Sequence, residues 1–206
     1  MLKRQQGLTL IEMMIALVLS TLVMGIVISM FTSSIGGHAQ AIRTMRLNQD
    51  LRIAMDMMVR DIRRAGYWNG SNPASNPHAS AISGNIPVGV FGNCVILSYD
   101  LDEDGSAGVE EFFGYRLNGD DLETIALNAL ASGADCSTPA ASSWNDLTDE
   151  ETVTINSLTF VTYPATAASF AAASNRTITI TLDGSSSLDA NIRTVLTDEV
   201  RVRNEL

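Results

Sequence analysis

Three groups of residues in this 206-residue chain carry side chains at spacings that could do chemistry. The stretch Asp100-Leu101-Asp102-Glu103-Asp104-Gly105-Ser106-Ala107-Gly108-Val109-Glu110-Glu111 places aspartates at its first, third and fifth positions, Gly at its sixth and Glu at its twelfth. A hard divalent cation such as calcium takes six to eight oxygens, and alternate acidic residues around a Gly-based turn supply them. Asp100, Asp102, Asp104 and Glu111 would be the carboxylate ligands and the Ser106 backbone carbonyl a further donor. Cys94 and Cys136 could form a disulfide; reduced thiols are the other reading of the pair. Glu12 stands five residues after Gly7, and Met13 to Phe31 then run on without a charged side chain. An acidic group at the middle of a membrane helix costs about 2.5–3.5 kcal/mol on insertion scales, so a carboxylate heading such a run needs a reason.

The flanks qualify the first group. The acidic spacing is that of an EF-hand calcium loop, which sits between helices, whereas Val95–Tyr99 and Phe112–Tyr115 read as strands. Ala107 is also smaller than the branched residue usual at the eighth position. Two readings stay open: a calcium loop bridging two strands, or an acidic hairpin turn whose charges are solvated. For the cysteines, the enclosed loop would contribute roughly 4 kcal/mol on the chain-entropy estimate. His38 and His78 lie apart from both, so there is no Cys/His zinc spacing. No G-x-S-x-G, Walker or H-E-x-x-H pattern occurs, and the sequence predicts no enzyme activity.

The element that must carry Glu12 is a long helix. No Pro interrupts residues 8–72, and Leu47, Leu51, Ala54, Met58, Ile62 and Ala65 recur at three- and four-residue spacing. Arg52, Asp56 and Arg60 are spaced for i,i+4 ion pairs on another face. One helix from Leu8 to about Arg64 would be roughly 85 Å long. Residues 8–37 are apolar all round, as a bilayer or a filament core requires, and residues 38–68 form an amphipathic half that lays one face on a globular head. Gly25 and Gly36-Gly37 are its weak points, each costing up to about 1 kcal/mol relative to Ala.

Residues 69–206 supply the head. Residues 69–87 are an irregular connection rich in Asn, Ser, Pro, Ala and Gly. Strands are predicted at Cys94–Tyr99, Glu110–Leu117, Leu122–Ala126, Thr152–Tyr163, Thr177–Leu182 and Arg193–Arg203, with a tight turn at Asn118-Gly119-Asp120 and a loop at Ala165–Ser174. The predicted fold class is α+β: a long N-terminal α-helix packed on an antiparallel β-sheet meander. Net charge is −10, or about −12 without Lys3 and Arg4, which argues against non-specific binding of nucleic acid.

Lys3-Arg4, Gly7 and Leu8-Thr9-Leu10-Ile11-Glu12 ahead of the apolar run resemble the class III signal sequence of type IV pilins and pseudopilins. The resemblance implies a leader at residues 1–7, cleavage after Gly7 by prepilin peptidase, and methylation of Leu8, where the family usually has Phe. It implies that Glu12 pairs with the N-terminal amine of an adjacent subunit. An ordinary secretory signal cut near Ser34-Ile35-Gly36, or a plain membrane anchor, would leave Glu12 unexplained. Leu51–Trp68, with Arg60-Asp61-Ile62-Arg63-Arg64-Ala65-Gly66-Tyr67, further resembles the PilW group of minor pilins. The implied role is a minor pilin that helps initiate or assemble a type IV pilus. The alternatives are a type II secretion minor pseudopilin of the J type, or a calcium-regulated adhesion module at a filament tip. The implied partners are the peptidase, other minor and major pilins through the N-terminal helix, and the inner membrane, with no cofactor required and calcium as the one ion in prospect. The chain would cross the inner membrane once with its head in the periplasm, then join an extracellular filament.

Overall fold

The computed structural model describes residues 9–202 apart from 80, 83–85, 109, 129–134, 138, 167–168, 171–172 and 174. Helix α1 spans Leu10–Arg64, 55 residues. The chain divides into two compact units, residues 1–42 and 43–206, so α1 contributes to both.

In the first unit every described residue is exposed, and the large hydrophobic side chains of residues 10–42 keep between 52% and 79% of their surface open. The helix is long and apolar enough to cross a membrane. Three of its hydroxyls bond within the helix: Ser20 donates to the Leu17 carbonyl, Thr21 to that of Val18, and Thr32 to those of Ile28 and Ser29. Such back-bonding lets polar side chains sit in hydrocarbon, where no water is available to take the bond.

The second unit packs the remaining turns of α1 on two antiparallel sheets. All six residues of the predicted stripe, Leu47, Leu51, Ala54, Met58, Ile62 and Ala65, are buried at 0–1% exposure. The first sheet has five strands in sequence order, β1 (Val88–Val90), β2 (Cys94–Ser98), β3 (Phe112–Asn118), β4 (Asp121–Leu127) and β5 (Asn145–Asp146). The second has three, β6 (Val153–Tyr163), β7 (Thr177–Ser186) and β8 (Asp189–Arg201). Ile178, Ile180 and Leu182 are fully buried while the threonines between them are half-buried, so the alternation read in the sequence marks the core face.

The structure therefore replaces one meander with two sheets, and adds the short strands β1 and β5. Strand β7 also runs four residues past the predicted end at Leu182. Asp183 is held by Arg193 of the neighbouring strand, and Gly184 seats Leu51 of α1. A Cβ on Gly184 would approach Leu51 Cδ2 to 2.8 Å, so the missing side chain is what lets helix and sheet close up. Part of the predicted loop Ala165–Ser174, and Arg203 at the predicted end of the last strand, lie outside the described residues.

A disulfide joins Cys94, at the start of β2, to Cys136, with Cα atoms 6.3 Å apart. Cys94 lies in a second, smaller core with Ile82, Ile96, Phe112, Ile125 and Trp144. Arg116 lies over the Trp144 ring at 4.3 Å, which closes this core with a cation–π contact.

Candidate functional site

Gly7 and Leu8 lie outside the described residues. Glu12 is on the first turn of α1, and its Oε2 accepts hydrogen bonds from the Thr9 amide and the Thr9 hydroxyl, both at 2.8 Å. The Glu12 amide in turn donates to Thr9 Oγ1 at 3.4 Å. This reciprocal pair is a capping box, Thr at the cap and Glu three residues on, and it satisfies helix-end amides that have no partner one turn back. The acid also favours the positive end of the helix dipole. Glu12 thus has a local role in addition to any contact it makes between chains.

The acidic loop lies between β2 and β3, so its flanks are strands, as the sequence indicates. The carboxylates of Asp100, Asp102 and Asp104 come together, each offering an oxygen within 4.8 Å of the others. Asp102 and Asp104 are exposed, whereas Asp100 is 2% exposed. Asp100 Oδ2 accepts the amides of Gly105 at 3.0 Å and Asn69 at 3.1 Å, and Oδ1 is buried without a hydrogen-bond partner. Gly105 turns the loop at φ +79°, which a side-chain-bearing residue rarely adopts. The Ser106 hydroxyl and amide both donate to Asp104 Oδ1 at 2.7 Å and hold that carboxyl below its usual range. Glu111 stands outside the group of three. It is fully buried, and its oxygens are taken by backbone amides: Oε1 by Leu101 at 2.9 Å and Oε2 by Gly108.

The loop is bolted to the segment that leaves α1. Just past the end of the helix stands Gly66, φ +79°, whose amide turns away to donate to the Ser98 carbonyl at 2.8 Å. The Asp100 amide then donates to the Tyr67 carbonyl at 2.9 Å. Trp68 Nε1 donates to the Gly105 carbonyl at 2.7 Å, and the Asn69 side-chain amide to the Glu103 carbonyl at 2.9 Å.

Two buried polar groups were not legible in sequence. On α1, Asp61 is 7% exposed and accepts from Tyr115 Oη at 2.5 Å and Tyr99 Oη at 3.2 Å, tying the helix to the first sheet. Burial, and then the Asp61 charge, push the Tyr99 phenol up to about 12 and raise that of Tyr115 further. Beside the acidic loop, His78 Nδ1 and Ser98 Oγ share a 2.6 Å hydrogen bond, and His78 Nε2 lies 3.7 Å from Glu111 Oε2. The order Ser–His–Glu is that of a hydrolytic triad, but all three residues are at 0% exposure, so no substrate reaches the hydroxyl. The group works as an interior clasp. Asn76 continues it by donating to the Gly66 carbonyl at 2.9 Å and accepting the His78 amide.

An open groove beside this clasp is lined by Arg60, Arg63, Arg64, Tyr67, Tyr99 and Leu101, so the residues that close the helix share one surface.

Comparison with known families supplies two matches. Residues 40–202 match the family model described as prepilin peptidase-dependent protein B. Residues 2–28 match the prokaryotic N-terminal methylation motif, which spans Gly7, Leu8 and Glu12. No curated protein and no solved structure matches the chain.

Proposed function

Because the chain belongs to the family of prepilin peptidase-dependent protein B and carries the N-terminal methylation motif, we propose that it is a minor type IV pilin of the PilW kind. In this reading prepilin peptidase cuts after Gly7, Leu8 becomes the methylated N-terminus, and the subunit takes part in initiating and assembling the pilus. The observation that carries it is the first half of α1. Eighteen large hydrophobic side chains between Leu10 and Ile42 are exposed, and no described residue of that stretch is buried. Burial of that surface must come from outside the chain, from lipid before assembly and from other pilin helices afterwards.

Glu12 then has two successive partners. Before assembly its carboxylate caps the helix through Thr9. In a filament core, with water gone, the N-terminal amine of a neighbouring subunit would join it, since a buried charge is tolerable when paired and costs about 3–5 kcal/mol when its partner is removed. The Glu12→Ala variant is expected to be cleaved normally but to be missing from sheared filaments, read by immunoblot of cell and filament fractions. Normal incorporation of that variant would overturn the role given to Glu12. The PilW assignment rests on Arg60–Tyr67 closing the helix. A strain lacking the gene is expected to lose surface pili. If it instead keeps its pili and loses protein secretion, the chain is a J-type pseudopilin.

A further inference from the structure

We propose that the loop from Asp100 to Glu111 binds a calcium ion through the carboxylates of Asp100, Asp102 and Asp104, and thereby locks the segment leaving α1 to the β2–β3 connection. The observation that decides between a cation loop and a solvated acidic turn is Asp100. Water can hydrate Asp102 and Asp104, which are exposed. It does not reach Asp100, which is 2% exposed and carries an oxygen, Oδ1, with no hydrogen-bond partner. A buried carboxylate oxygen without a donor is costly, and two further carboxylates within 4.8 Å add like-charge repulsion. A cation among the three removes both penalties at once.

The identity of the ion follows from the donors. All are oxygens, and no His or Cys belongs to the group, which selects a hard cation over zinc. The loop spans two strands, and its three carboxylates come from one irregular turn. Calcium tolerates irregular coordination of that sort, whereas magnesium demands near-ideal octahedral geometry. Glu111, at the position that usually chelates, instead clamps the amides of Leu101 and Gly108 and holds the two ends of the loop together.

The consequence reaches α1. Asp100 Oδ2, Glu103 and Gly105 bind Asn69 and Trp68, the residues that follow the helix end. An ion that orders the loop orders this junction too. The proposal is independent of the filament role above.

The test uses the processed full chain in detergent micelles, with calcium alone as the probe. Calorimetry is expected to give a saturable heat with a dissociation constant of about 10⁻⁴–10⁻³ M, the range of extracellular sites. At 10 mM calcium the melting temperature of the head should rise by about 3 °C or more. Terbium in the same site should luminesce when tryptophan is excited, and calcium should displace it. The Asp102→Asn/Asp104→Asn variant should abolish all three signals while keeping its calcium-free melting temperature. Asparagine preserves the acceptor oxygens that receive the Asp104 and Ser106 amides and removes only the charge. Absence of a calcium heat and of a melting shift in the unaltered chain would overturn the proposal. So would unchanged calcium binding by the double variant, or equal binding of magnesium.

Discussion

The two halves of α1 are continuous in backbone and opposite in what they ask of their surroundings. Residues 10–42 are exposed on every face, whereas the following turns bury Leu47, Leu51, Ala54, Met55, Met58, Val59, Asp61 and Ile62. The same contrast holds for one carboxylate in each half. Glu12 is exposed and bound by its own turn, through Thr9. Asp61 is buried and bound from the sheet, by Tyr99 and Tyr115. Helix propensity therefore does not distinguish the halves; the source of the burying partner does. One half finds its partner in its own chain, and on the proposed function the other receives it from lipid or neighbouring subunits.

The largest effect that separates them is loss of a buried methyl cluster. Leu51→Ala empties a site at 0% exposure against Gly184 and should destabilise the head by about 3–5 kcal/mol. Leu22→Ala, on a side chain 60% exposed, should change head stability by less than about 0.5 kcal/mol and instead lower incorporation into filaments. Urea unfolding of the full chain in detergent, followed by tryptophan fluorescence, reads the first quantity. Equal destabilisation by the two substitutions would erase the distinction between the halves.

Next in size is the buried carboxylate. Asp61→Ala leaves two buried phenols without their acceptor and should cost about 2–3 kcal/mol. The same cluster makes the head sensitive to alkali. Because the folded-state values of Tyr99 and Tyr115 are raised above the ordinary phenol value of about 10, their contribution is intact below pH 10 and is lost as pH rises toward and through about 12. In a Tyr67→Phe/Tyr163→Phe background, which leaves Tyr99 and Tyr115 as the only phenols, unfolding and phenolate absorbance should therefore appear together above pH 10. Residues 10–42 contain no Tyr and should contribute nothing to that transition. In that background, phenolate absorbance near pH 10 with the head still folded would show that Tyr99 and Tyr115 are not buried as a unit.

Much of this contrast is legible in the sequence because it is local. The stripe from Leu47 to Ala65 has helical period, and all six of its residues are buried. The strand Thr177–Leu182 has period two, and its Ile and Leu side chains line the core. What does not show is whatever depends on contacts distant in the chain. Asp61 meets Tyr99 and Tyr115 across 38 and 54 residues, and His78 meets Ser98 across 20. No spacing rule reaches those pairs. The split into two sheets was hidden for a related reason: strand periodicity says which face is buried, not which strand it neighbours. In the acidic loop the spacing named the residues, but the burial of Asp100 and the clamping role of Glu111 came only from the folded backbone.

The smallest expected effect is also the one that tests the exposed half most directly. Thr9→Ala removes the hydroxyl that donates to Glu12 and accepts from the Glu12 amide, while the backbone amide contact to Glu12 can persist. Loss of a capping side chain costs about 1 kcal/mol, confined to the first turn. Head stability should not change, and faster amide exchange should be restricted to the residues just after Leu10. Because the Glu12 carboxylate is retained, incorporation into filaments should survive in Thr9→Ala where it is lost in Glu12→Ala. If both variants fail to assemble alike, Glu12 acts by holding the helix end rather than by meeting an amine. The contrast between a carboxylate satisfied within its own fold and one kept for a neighbour would then collapse, because both would serve their own chain.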